Sequence, residues 1–112
     1  MTLLTTQEFM DKFGMDLKKP LTRPAVVDLG ALAWCQPCKI LHPLLQDLEQ
    51  EYKGIDFYEV DVDNEQTLAQ DLNVSGIPTM YYLKGEGTVD MTVGLLTKKG
   101  LKDRFDALLT VQ

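Results

Sequence analysis

From Ala25 to Ala31 the chain reads Ala-Val-Val-Asp-Leu-Gly-Ala, an apolar run without polar alternation. A strand with one wet face alternates, so this run predicts a strand covered on both faces, the arrangement of a sheet with helices packed on each side. It leads into Trp34-Cys35-Gln36-Pro37-Cys38-Lys39, which holds both cysteines of the chain. Beyond them Leu41, Leu44 or Leu45, Leu48 and Tyr52 recur at helical spacing until Gly54 stops the pattern. The cysteines are therefore expected where a buried strand meets a helix. Pro43 falls inside that helix, where it removes one backbone hydrogen bond and is expected to kink the axis.

The flanking segments extend the same pattern. Thr5-x-x-Glu8 reads as a capping box opening a short helix, with Phe9, Met10 and Phe13 toward a core and Gly14 as its end. The stretch to Pro24 carries Lys18, Lys19 and Arg23 and is expected to be a solvated loop. Ile55 to Val62 reads as a strand, and Asp63 or Asn64 is positioned to cap a helix holding Leu68, Ala69 and Leu72. After the loop 73–77, Thr79 to Leu83 and Thr88 to Val93 flank Lys84-Gly85-Glu86-Gly87 as a β-hairpin, in which Val89, Met91 and Val93 alternate. Gly94 and Thr97 lead into a last helix with Leu101, Phe105, Leu108 and Leu109 on one face. Strands joined through helices run parallel and the hairpin adds antiparallel ones, so the expected class is α/β, with a central mixed sheet and helices on both faces.

Composition bounds the function. With 112 residues, 45% apolar and 25% charged, and with no repeat or linker, the chain is expected to form a single domain over 1–112. Its net charge of −6 repels phosphate backbones and anionic headgroups, so neither nucleic acid nor membrane is an expected partner. Residues 1–5 lack the basic region and apolar core of a secretory signal, and the expected compartment is the cytoplasm. A monomer is expected.

A Cys-x-x-Cys pair supplies half a zinc site or cycles between dithiol and disulfide. A closed structural zinc site takes four Cys or His ligands, and this chain offers two cysteines and His42, so no metal is expected. A purely structural bridge across so short a loop removes little unfolded-state entropy. Redox chemistry is the better use. Cys35, at the amino-terminal end of a helix, meets unpaired N–H groups and the positive end of the helix dipole, which favour a thiolate and lower its pKa below the free-thiol value. Cys38 lies one turn deeper. Cys35 is thus expected to attack a substrate disulfide and Cys38 to resolve the mixed disulfide. Pro37 fixes the turn in a position where its missing N–H costs little.

The chain resembles the thioredoxin family over nearly its whole length, through Val26-Val27-Asp28, Trp34-Cys35-x-Pro37-Cys38-Lys39, Pro43, Val60-Asp61-Val62-Asp63, Gly76-Ile77-Pro78-Thr79 and Val93-Gly94. The resemblance implies a thioredoxin fold and a protein disulfide reductase that needs no cofactor. Its partners would be disulfide-containing proteins and a reductase, such as thioredoxin reductase, that restores the electrons. It also implies a cis Ile77-Pro78 peptide beside the cysteines. Trp34, Gly76, Ile77, Pro78, Val93 and Gly94 would form a shallow surface that pairs with an extended peptide through main-chain hydrogen bonds. Gln36 departs from the usual Gly and, with Pro37, is expected to tune redox poise.

The family pattern further implies a buried acid on the strand before the active site, assisting proton transfer at the resolving cysteine. Asp28 has that context, but one residue too many separates it from Cys35. A bulge after Leu29 keeps Asp28 in the role, whereas a gapless alignment puts Leu29 there; Asp28 is preferred, because an acid in an apolar strand is costly to bury without purpose. Gly30 or Ala31 stands where many relatives carry a second tryptophan, which is expected to loosen packing beneath the site. Trp34 is expected on the substrate-facing surface, and Glu59 either to pair through water with Asp28 or to point outward. His42 is expected to be a partly exposed surface residue, and of Tyr81 and Tyr82 one core and one surface. The acidic residues Asp47, Glu49, Glu51, Asp56, Asp61, Asp63 and Glu65 are expected to be solvated, with docking of a basic partner as the alternative. A thioredoxin-like oxidase or isomerase and a non-enzymatic binding subunit remain alternatives.

Overall fold

The computed structural model describes residues 1–110, and the apolar run is the middle of its sheet. This strand, β2 (Ala25–Gly30), is buried at all six positions. The chain leaves it through α2 (Gln36–Glu51) and returns as β3 (Asp56–Asp61), which pairs with β2 in parallel. β4 (Thr79–Lys84) pairs antiparallel on the other side of β2, and β5 (Gly87–Val93) follows it through a tight turn in which Gly85 has φ 62°. A two-residue strand, β1 (Thr2–Leu3), adds parallel to β3, giving the order β1-β3-β2-β4-β5. The sheet is mixed, as expected. β1 was not legible, because two residues are too few to show a period.

Pleating assigns β2 side chains to two layers. Ala25, Val27 and Leu29 join Phe9 and Phe13 of α1 (Thr6–Phe13) and Leu68 of α3 (Gln66–Asp71). Val26 joins Leu41, Leu45 and Leu48 of α2 and Phe105 of α4 (Lys98–Leu109). Phe105 anchors this second layer by edge-on contacts with Phe57 and Tyr52, both at 5.3 Å between centroids. Asp28 and Gly30 belong by the same alternation to the α2 face. Both faces therefore carry helices, and everything on the α2 face near the strand's end lies beneath the cysteines.

The helix starts follow local chemistry. Thr5 Oγ1 accepts the Glu8 amide while the Glu8 carboxylate accepts the Thr5 amide, the capping box read from the sequence. Thr97 Oγ1 caps α4 by accepting from the Gly100 amide. α2 continues through Pro43, where no N–H is available for the Lys39 carbonyl.

Several expectations are corrected. Neither Asp63 nor Asn64 caps α3: the N-cap is Glu65, without a side-chain cap bond, because its carboxylate instead accepts from the Thr6 amide and hydroxyl. Tyr81 and Tyr82 are both buried, since β4 is an interior strand with one of them in each layer. Val89, Met91 and Val93 do alternate on one face of β5, as expected; that face is exposed, whereas Thr92 faces in and shares a 2.9 Å hydrogen bond with the Tyr82 hydroxyl. Leu109 lies on the exposed side of α4. The segment before Pro24 is a loop, but Leu17 and Leu21 are half-buried against the α1 layer. The acidic residues are not all free: Asp56 pairs with Arg23 at 3.1 Å and Glu51 with Lys102 at 3.6 Å, both exposed pairs of small energetic weight.

Candidate redox site

β2 ends at Gly30, and the chain turns through residues 31–34 before α2 begins. The Ala31 carbonyl accepts from the Trp34 and Cys35 amides at 3.3 and 2.9 Å, so the turn presents Cys35 as the N-cap of α2. Cys35 and Cys38 are joined as a disulfide with Cα atoms 5.2 Å apart. Cys35 Sγ accepts the Cys38 amide at 3.2 Å, filling the place that a Ser or Asp oxygen takes at other helix starts. A negative sulfur at this point is stabilised by that bond and by the dipole of a sixteen-residue helix. Pro37 sits in the first turn, where its lack of an N–H leaves no helical bond unmade, and Gln36 is exposed. Both cysteine residues are buried in the bonded state, Cys35 at 4% and Cys38 at 1% exposure.

A rim of small and apolar groups surrounds Cys35. Trp34 is 61% exposed, and its indole N–H donates to Asp63 at 3.0 Å, which ties the ring to the turn after β3. The Ile77–Pro78 peptide is cis, as implied by the resemblance, and Cys35 Sγ lies 4.0 Å from the Ile77 carbonyl oxygen. Thr79 Oγ1 donates to the Gly76 carbonyl at 2.5 Å, and the Gly94 amide donates to the Pro78 carbonyl at 2.8 Å. These bonds hold the loop, while among the described residues neither the amide nor the carbonyl of Ile77 is bound by another backbone group. Gly94 has φ 97°, a conformation that favours glycine, and Val93 beside it is half exposed.

Behind the disulfide the α2 face of β2 carries Asp28 and Gly30. The β2–β3 register runs unbroken from Ala25 to Gly30, so the additional residue resides in the 31–34 turn and not in a bulge after Leu29. Leu29 points into the opposite layer. A Cβ on Gly30 would lie 3.1 Å from Cys38 Sγ and 3.8 Å from Asp28 Oδ1, so the acid and the inner sulfur are neighbours of one point. Asp28 is 6% exposed, and its Oδ1 has no hydrogen-bond partner among the described residues. Burial, reinforced by the negative charge of Glu59 opposite it in the register, pushes its pKa up to about 7. A cavity of about 180 Å³ lies here, lined by Asp28, Gly30, Cys38, His42 and Glu59 among others. Glu59 thus faces the acid's cavity, and His42 Nδ1 stands 3.7 Å from its Oε2.

A sequence model of the family described as thioredoxin matches residues 3–107. This chain belongs to the thioredoxin family. It is 37% identical over 82 residues to a thioredoxin of Borreliella burgdorferi, an alignment covering 72% of this chain and 69% of that one. A thioredoxin of Mycoplasmoides gallisepticum is 31% identical over 93 residues, 83% of this chain and 92% of the relative. A thioredoxin H-type of Brassica oleracea is 39% identical over 69 residues, 62% of this chain and 55% of the relative.

As a thioredoxin-family member with its cysteines bonded at a helix start, the protein is a thiol–disulfide oxidoreductase whose pair exchanges with disulfides. Two contributors to the site were missed as such from sequence. Gly30 is the close-approach position for Cys38 Sγ, and its signal was its place two residues after Asp28, hence on the same face. Asp63 was read as a helix cap and as one of the solvated acidic residues, whereas it receives the Trp34 indole; nothing in the local pattern indicated that long-range bond.

Proposed function

We propose that this single domain is a protein disulfide reductase in which Cys35 is the attacking and Cys38 the resolving sulfur. The observation that carries this assignment is the position of Cys35 Sγ, which caps α2 and accepts the first-turn amide of Cys38. In the dithiol state the Cys35 thiolate attacks a substrate disulfide, forming one S–S bond while the second substrate sulfur leaves as thiolate and takes a proton from solvent. Cys38 then gives up its proton and attacks Cys35 Sγ, releasing the remaining substrate thiolate and closing the internal bridge. Two electrons pass from the pair to the substrate. Asp28 is the proton acceptor favoured for the second step, because a carboxyl with a proton affinity near neutrality lines the same cavity as Cys38.

Trp34, Gly76, Ile77, Pro78, Val93 and Gly94 are proposed to hold the substrate. The unbound backbone groups of Ile77 beside Cys35 support pairing with an extended segment, and the small side chains discriminate weakly, so many protein disulfides qualify. Gln36, exposed between the cysteines, and Pro37 tune the redox poise. A reductase of the thioredoxin-reductase type recharges the pair with no bound cofactor in this domain. Reductive turnover needs a reducing compartment, which supports a cytoplasmic location, and the domain is proposed to act as a monomer. Among the described residues no helix is long and apolar enough to cross a membrane.

Equilibration of the pair with glutathione at pH 7 tests the direction of transfer. The expected potential lies below the glutathione couple; a potential near or above it overturns the reductase assignment in favour of an oxidase.

A further inference from the structure

His42 belongs to none of the roles above, yet it stands in the cavity that serves the inner half of the site. It lies one helical turn beyond Cys38 on α2, which brings its ring to the same side as that sulfur. Its side chain is 22% exposed, and Nδ1 is 3.7 Å from Glu59 Oε2, whose side chain is 20% exposed. The pair therefore joins α2 to β3 across the cavity whose inner wall is Asp28 and Cys38. Glu59 is in turn the direct register neighbour of Asp28. The four side chains form a sequence from partial exposure at His42 to full burial at Cys38.

We propose that His42 is a positioning residue for proton transfer, which holds the Glu59 carboxylate and sets the charge felt by Asp28 and Cys38. The titratable groups facing the cavity are Asp28 from β2, Glu59 and Asp61 from β3, and Cys38 and His42 from α2; β1 contributes only Leu3, and the turn after β2 only Leu32 and Ala33. Asp61 is engaged in its own turn, accepting from the Asp63 amide and the Asn64 side chain. Among the described residues that line this wall, His42 is thus the one group able to carry positive charge. When its ring is protonated it offsets Glu59, and the cost of ionising Asp28 falls; with a neutral ring the repulsion between the two carboxylates is uncompensated. The cavity gives the proton that Cys38 loses a route past Asp28 toward the Glu59–His42 pair and solvent.

The inference deepens the redox assignment, but its primary test does not depend on turnover. Asp28 is titrated by carboxyl 13C NMR in the oxidised protein as wild type, His42→Gln, His42→Lys, Glu59→Gln and the His42→Gln/Glu59→Gln double variant. His42→Gln is expected to raise the Asp28 midpoint by about 0.5 pH unit or more, and Glu59→Gln to lower it. His42→Lys, which keeps a cation, is expected to hold the midpoint at or below the wild-type value. In the Glu59→Gln background the His42→Gln shift is expected to shrink by at least half, roughly the loss of the charge that His42 offsets. The pH profile of kcat/KM for disulfide reduction is expected to move with the Asp28 midpoint. An unmoved midpoint in His42→Gln overturns the proposal, and so does an equal shift with and without Glu59. Loss of reductase activity with the predicted midpoints intact would count against the function assignment and leave the coupling standing.

Discussion

Asp28 on β2 faces Glu59 on β3 in parallel register, so two carboxyl groups border one cavity behind the disulfide. The inner of them is buried and has its pKa pushed up to about 7, first by desolvation and then by its neighbour's charge. An acid whose folded pKa is raised favours folding most below its unfolded value of 3.8 and loses that contribution as pH rises through about 7. Asp28→Asn removes the titration. Relative to wild type, the variant is expected to gain on the order of 2–3 kcal/mol of stability between pH 5 and pH 8.5, measured by urea unfolding at both values. Parallel pH dependence in the two proteins contradicts the placement of a buried, titrating carboxyl. The resolving step should slow in the same variant, because Cys38 loses the acceptor proposed for its proton.

Gly30 gives Cys38 its room. A methyl group there would meet Sγ at 3.1 Å and Cβ at 3.4 Å, and the bridge to Cys35 restrains the sulfur from retreating. Gly30→Ala is expected to destabilise the oxidised form by about 1–2 kcal/mol, and the dithiol form by less because its sulfur is free to move. The difference should raise the reduction potential, by about 20 mV for each kcal/mol. Glutathione equilibration reads the shift, and an unchanged potential contradicts the close approach.

Legibility from sequence followed the length of each signal. β2 and α2 were readable because six buried positions and a sixteen-residue helical period leave little freedom, and together they place the cysteines. The choice between Asp28 and Leu29 was not readable, since it depends on where one additional residue is stored. Pairing of β2 with β3 up to Gly30 puts it in the 31–34 turn, a position no local pattern specifies. Which face of β5 is buried was open for a related reason: alternation shows that two faces differ, but only the fold brings Thr92 to the buried Tyr82 hydroxyl on the α4 side.

Trp34 is held but not buried. With 61% exposure and a single tether to Asp63, it contributes little to the core. Trp34→Ala is expected to change unfolding stability by less than about 0.5 kcal/mol while reducing kcat/KM for a protein disulfide by about 5- to 30-fold, equivalent to about 1–2 kcal/mol of lost docking. Asp63→Ala, which releases the indole, should act in the same direction and more weakly. A large stability loss with unchanged kcat/KM would make Trp34 a structural residue.

The division of labour between the sulfurs is tested most directly by trapping. Cys38→Ser and Cys35→Ser variants are reduced and exposed to disulfide-containing proteins, and mixed disulfides are quantified on non-reducing gels and by mass spectrometry. The expected result is accumulation of mixed disulfides through Cys35 in the Cys38→Ser variant and almost none in the Cys35→Ser variant, since its remaining sulfur lies inside the helix and lacks the N-cap position. Trapping through Cys38 with none through Cys35 would contradict the assignment of the helix-capping sulfur as the nucleophile.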